Sequence, residues 1–74
     1  MPPRATRRGR LYKARIVDYY GARFWEIIYS HEEAPEERQT AYIGMESVYD
    51  DPQPGDHIYV TYTANAATSI HKTD

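Results

Sequence analysis

Apolar and polar residues alternate most cleanly over Ile58–Thr63. Ile58, Val60 and Tyr62 point one way, while His57, Tyr59, Thr61 and Thr63 point the other. That is the period of a strand with one buried face, and its β-branched and aromatic residues suit it. Pro54-Gly55-Asp56 ahead of it reads as a turn. Four further segments carry weaker versions of the same period. Leu11–Tyr20 sets Tyr12, Ala14 and Ile16 against Lys13, Arg15 and Val17. Phe24–His31 sets Trp25, Ile27 and Tyr29 against Phe24, Glu26, Ile28 and Ser30. Gln39–Met45 sets Ala41, Ile43 and Met45 against Thr40, Tyr42 and Gly44. Thr68–Lys72 is a short last strand anchored by Ile70. The predicted core is Ile16, Trp25, Ile27, Ile43, Ile58, Val60 and Ile70.

The connections are marked by turn residues. Gly21 supplies a tight turn between the first two strands. Glu32–Arg38, with four glutamates and Pro35, reads as a solvated hairpin loop. Glu46–Tyr49 fits either a short helical turn or a continued strand, Asp50–Gly55 is a loop, and Ala64–Ala67 is a turn. Five short strands with no convincing helix predict an all-β fold, a small five-stranded antiparallel barrel at residues 11–74. SH3-like topology fits the length. A reduced OB-type barrel is the alternative, with only Glu46–Asp51 to supply its helix. Residues 1–10 carry Pro2, Pro3 and Gly9 and almost nothing apolar, and so predict a disordered basic arm.

The segment Gly55-Asp56-His57-Ile58-Tyr59-Val60-Thr61-Tyr62-Thr63-Ala64-Asn65 resembles a signature, G-D-x-V-x-V-x-Y-x-x-x-N, found in small bacterial β-rich domains of unknown function, with Ile58 at the first V and Asn65 one residue closer to the tyrosine than the signature has it. Thr63 and Ala66 stand where that group often has Asp and Pro. The resemblance implies a β-rich fold over about 60 residues and carries no catalytic residue across.

Charge changes this picture. Residues 1–15 hold Arg4, Arg7, Arg8, Arg10, Lys13 and Arg15 and no acid, for +6. The rest holds all eleven acids against Arg23, Arg38 and Lys72, for −8, so the net charge is −2. A basic segment beside an acidic body suits an anionic partner or packing of one on the other. The chain has no cysteine, so thiol chemistry and disulfides are excluded; this fits a reducing, cytoplasmic setting. No apolar run reaches the roughly 18 residues of a membrane span.

No residue pattern points to an enzyme. The glycines are isolated, and Asp50, Asp51 and Asp56 sit where acids initiate turns around Pro52 and Pro54. His31, His57 and His71 lie at strand ends without short metal-ligand spacing. No metal and no cofactor is expected. Two binding classes remain. A protein-interaction module would use an exposed strand edge and an outward row of Tyr42, Tyr59 and Thr61 to bind a protein partner or a second copy of the chain as a homodimer. A nucleic-acid-binding barrel would use Arg7, Arg8, Arg10, Lys13 and Arg15 with Tyr12, Tyr19 and Tyr20. Repulsion between phosphate and the acidic body favours the first.

Overall fold

The computed structural model of the chain describes residues 4–73, so Met1, Pro2 and Pro3 of the expected arm lie outside the described residues. Five strands follow in order: β1 (Arg4–Tyr19), β2 (Ala22–His31), β3 (Ala34–Gly44), β4 (His57–Thr63) and β5 (Ala66–Lys72), with one 3-10 turn at Met45–Ser47 between β3 and β4. They form one antiparallel sheet in the order β3-β2-β1-β4-β5. The all-β, five-stranded antiparallel reading holds.

The expected disordered arm does not hold where it is described. Arg4–Arg10 is the first half of β1, paired residue for residue with Thr63–His57. The composition of 1–10 cannot bury apolar area by itself. The neighbouring strand β4, apolar on one face, supplies the partner that local composition does not reveal. Gly9 makes the junction work. It lies opposite His31, and a Cβ there would collide with the Ser30 carbonyl oxygen. From Gly9 onward β1 also pairs with β2, so one 16-residue strand joins both halves of the sheet.

Beyond Leu11 the register slips by one. Leu11 faces Tyr29 while Lys13 faces Ile28, leaving Tyr12 as the extra residue of a β-bulge. Tyr12 is thereby parted from Ala14 and Ile16, with which simple alternation grouped it. Leu11 takes the inward place and is fully buried.

Both end hairpins close through two residues with positive φ, Tyr20 and Gly21 in one and Ala64 and Asn65 in the other. This is the pattern of a type I′ turn, whose twist matches that of the flanking strands. The β2–β3 turn is shorter than the expected loop. Ala34–Arg38 extends β3, which lies at the sheet margin, where Pro35 interrupts no ladder between two neighbours.

The core is Leu11, Ile27, Tyr29, Ala41, Ile43, Val48, Ile58, Val60 and Ile70, drawn from every strand. With no second layer to cover them, the sheet must curl around these residues. The curl brings β3 and β5 near each other, and Val48 bridges to Ile70, but the two marginal strands do not pair and the barrel is not closed. Two sequence-derived core positions need correction. Ile16 is 50% exposed, and Trp25, its partner in register, is only partly buried against the cluster. Both lie near the β1–β2 turn, past the end of the covered face. Among the described residues no helix is long and apolar enough to cross a membrane.

Replacing Leu11 by Ala should cost about 2–5 kcal/mol, the range for a large-to-small change in a filled core. Ile16→Ala should cost less than about 1 kcal/mol, as expected for a half-exposed side chain. Gly9→Ala should cost about 1–3 kcal/mol through overpacking against the β2 backbone. Urea unfolding of the three variants beside the parent checks the order.

Candidate functional site

The bulge at Tyr12 decides which way the cations of β1 face. In the first half, Gly9 and Leu11 are buried, so Arg4, Thr6, Arg8 and Arg10 turn to the convex side. After the extra residue the parity reverses. Lys13, Arg15 and Val17 now pair with Ile28, Glu26 and Phe24, the outward positions of β2. Arg4, Arg8, Arg10, Lys13 and Arg15 therefore form one exposed row along the middle strand of the sheet. Without the bulge, Arg10 and Lys13 would lie on opposite faces. Arg7 is the exception. It points to the concave side, where its guanidinium pairs with the Glu33 carboxylate.

Aromatic rings flank the row. On the β4 side the Arg8 guanidinium lies 5.4 Å from the centre of the Tyr59 ring. On the β2–β3 side Arg38 lies 3.6 Å from the centre of the Tyr12 ring. The Tyr12 hydroxyl donates to the Pro35 carbonyl at 3.1 Å and accepts from Ser30 Oγ at 3.4 Å. Tyr12 is thus a fixed, partly covered support. Tyr20, 94% exposed, and Tyr19 occupy the β1–β2 hairpin end, their rings edge to face with centres 4.6 Å apart.

A cross-strand triad sits between the row and β3. Arg15 Nε donates to Glu26 Oε1 at 2.6 Å, and the Tyr42 hydroxyl donates to Glu26 Oε2 at 3.0 Å. The Arg15 hydrogen bond, then that of Tyr42, holds the Glu26 carboxyl below its usual range. The same bonds raise Arg15 and Tyr42 above theirs. Beside the triad is an apolar groove of about 480 Å³ lined by Val17, Asp18, Tyr19, Phe24, Glu26 and Tyr42.

The concave side opens at the other end of the sheet as a polar cleft of about 650 Å³ between β3 and the β4–β5 turn. Three side chains are linked there. The Tyr29 and Tyr62 hydroxyls are 2.5 Å apart, and His31 Nε2 is 2.6 Å from the Tyr62 hydroxyl. Tyr29 is 2% exposed. One arrangement satisfies all three groups: Tyr29 donates to Tyr62, and Tyr62 donates to a neutral His31. Burial first, then the hydrogen bond with Tyr62, pushes the Tyr29 phenol up. Burial first, then the Arg7 charge, pushes His31 below its usual value of 6.5, and Glu37 opposes them. Sequence reading treated His31 only as an isolated histidine and missed this cluster. The inward parity of Tyr29, His31 and Tyr62 was a usable signal, but their meeting depends on the curl of the sheet.

The other expected sites are partly dispersed. Tyr42 on β3 and Tyr59 on β4 are separated by β2 and β1, and Thr61 is 5% exposed between Thr6 and Ser69. They do not form one outward row. By contrast Arg8, Arg10, Lys13, Arg15, Tyr12, Tyr19 and Tyr20 all lie along β1 or its terminal turn. The acids gather elsewhere: Glu32, Glu33, Glu36 and Glu37 at the β2–β3 end, and Glu46, Asp50, Asp51 and Asp56 between β3 and β4. Only Asp18 and Glu26 stand on β1 or β2. Among the described residues no group of three or more histidines and acids is placed to hold a metal ion. No protein-family model, curated protein or solved structure matches the chain.

The cluster at the mouth predicts a pH dependence. His31 faces Arg7 of β1, Tyr29 of β2, Glu37 of β3 and Tyr62 of β4. Its folded pKa lies below the unfolded value, so the unfolded chain binds more protons in that window and stability rises with pH. The thermal midpoint should be highest above about pH 6.5 and fall as the pH is lowered towards about 5. His31→Gln, which keeps a hydrogen-bonding tip, should flatten that slope. An unchanged slope in the variant would move the titration away from His31.

Proposed function

We propose that this domain binds single-stranded nucleic acid along the convex face of β1. The observation that carries the reading is the single row of Arg4, Arg8, Arg10, Lys13 and Arg15, brought together by the bulge and bordered by tyrosines. A row spaced along an extended strand spans up to about 36 Å, which suits a backbone tracked over several nucleotides. Exposed rings at Tyr20 and Tyr42 offer stacking surfaces to bases that a duplex would keep paired. The acidic residues that argued against a phosphate ligand lie mainly in connections at the ends of the sheet, leaving this face with an excess of cations.

The same reading takes the fold as a reduced OB-type barrel, left partly open. Three features support it: β1 serves both β2 and β4, β3 and β5 approach each other at the margin, and a single 3-10 turn stands between β3 and β4. In OB barrels oligonucleotides lie against the second and third strands, between the first and last hairpin loops; here Glu26 and Tyr42 stand on those strands, and the cation row runs along the neighbouring β1. Tyr19-Tyr20-Gly21 and Ala64-Asn65 are the corresponding turns here. A second reading, self-association through the unpaired margins of β3 and β5, is favoured by the open seam between them.

Fluorescence anisotropy with labelled single strands decides between these readings. Affinity should fall steeply with salt, because each neutralised phosphate releases counterions. Replacing Arg8, Arg10 and Lys13 together by Ala should lower both affinity and salt slope. Arg7→Ala, on the concave side, should leave the slope unchanged. Tyr20→Ala should cost about 1–3 kcal/mol of binding without altering the slope. No binding at about 50 mM salt, together with a dimer by light scattering, would replace this reading with the second.

A further inference from the structure

The groove at the end of the cation row has a floor and walls of different chemistry. Val17 and Phe24 are cross-strand neighbours, and with Tyr19 and Tyr42 they make its apolar and aromatic lining. Glu26 is the acceptor within it. Its side chain is 13% exposed and is pinned from both flanks, Oε1 by Arg15 and Oε2 by Tyr42. A carboxylate offers about four lone-pair sites; two are used, so each oxygen retains capacity for one more donor. Asp18 adds a second carboxylate to the lining. A volume of about 480 Å³ falls within the range of small-molecule sites and holds one flat ring.

The groove also continues the proposed strand-binding face. Arg15 is both the last cation of the row and the partner of Glu26. A phosphate held at Arg15 brings the adjoining base to the groove. An ionised carboxylate accepts hydrogen bonds and donates none. Cytosine and adenine present an exocyclic amine at their pairing edge, and guanine presents an amine beside a ring N–H. Thymine and uracil present one ring N–H flanked by two carbonyl oxygens, which a carboxylate repels.

We infer that the groove formed by Val17, Tyr19, Phe24 and Tyr42 is a nucleobase pocket in which Glu26 accepts from an exocyclic amine, so that the domain prefers amino-bearing bases to thymine or uracil. The inference rests on the single-strand reading of the β1 face and adds base preference to it. Glu26 and Asp18 select the base, and the β1 cations supply attraction that is the same for every sequence.

The test is anisotropy of the full chain with oligo-dC and oligo-dT of about twelve nucleotides at one fixed salt concentration. Oligo-dC should bind about tenfold more tightly, the worth of one hydrogen bond to a charged group. Glu26→Gln, whose amide both donates and accepts, should bring the two within about twofold. An arm without any variant protects against misfolding. An oligo-dC carrying two methyl groups on each N4 keeps the ring but loses the amine donors, and it should bind like oligo-dT. Equal binding of oligo-dC and oligo-dT, or full-strength binding of the methylated strand, would overturn the base pocket and leave the strand-binding reading standing. Failure of every strand to bind would overturn both.

Discussion

One strand carries the whole arrangement, and the constraint on it is geometric. β1 must pair with β4 over its first half and with β2 over its second, which requires both partners to share it around Gly9–Leu11. Gly9 permits the close approach to the β2 backbone, and the bulge at Tyr12 then changes which side chains face inward. A bulge also increases local twist. That effect helps a sheet with no second layer to wrap around its own apolar face. The core position of Leu11 and the outward position of Lys13 are two consequences of the same extra residue.

This explains how much of the molecule was legible in the sequence. Clean alternation in Ile58–Thr63 predicts that strand well, because burial of one face is recorded locally in every second residue. The identity of the last core anchor, Ile70, is equally plain. The arm was misread because Arg4–Arg10 holds only arginines and small residues, with no apolar signal of its own. Its order comes from β4, some 50 residues later in the chain, and from the missing side chain of Gly9. A bulge leaves no mark in composition, so grouping Tyr12 with Ala14 and Ile16 followed the ordinary period and failed at one residue. Similarly, the cation cluster was visible in sequence only as a charge run; its collection on one face was not.

Separation of charge is the second organising effect. A chain with a net charge of −2 would repel phosphate weakly if its charges were evenly mixed. Here the acids concentrate in the β2–β3 end and the β3–β4 connection, while β1 carries six of the nine cations. At physiological salt the Debye length is about 8 Å, so an anion over the middle of β1 responds mainly to the charges beside it. The field that matters is local, and net charge is a poor guide to the ligand of so small a domain.

Arg7 shows that position and not composition assigns the role of each cation. It belongs to the same basic run as Arg8, yet strand parity turns it to the opposite side, where it meets Glu33 and lowers the proton affinity of His31. There it lines the open cleft beside the core. The linked hydroxyls of Tyr29 and Tyr62 end on the His31 imidazole, whose neutral form is favoured by burial first and then by the nearby Arg7 guanidinium. Two adjacent arginines thus lie in different surroundings: Arg8 on the convex face beside Tyr59, Arg7 beside the hydrogen-bonded cluster of the cleft. A shift of the β1 register by one residue would exchange them, exposing the core side chains and dispersing the cation row together. The same pairing constraint therefore holds both the fold and the candidate site, and neither can drift while the other is kept.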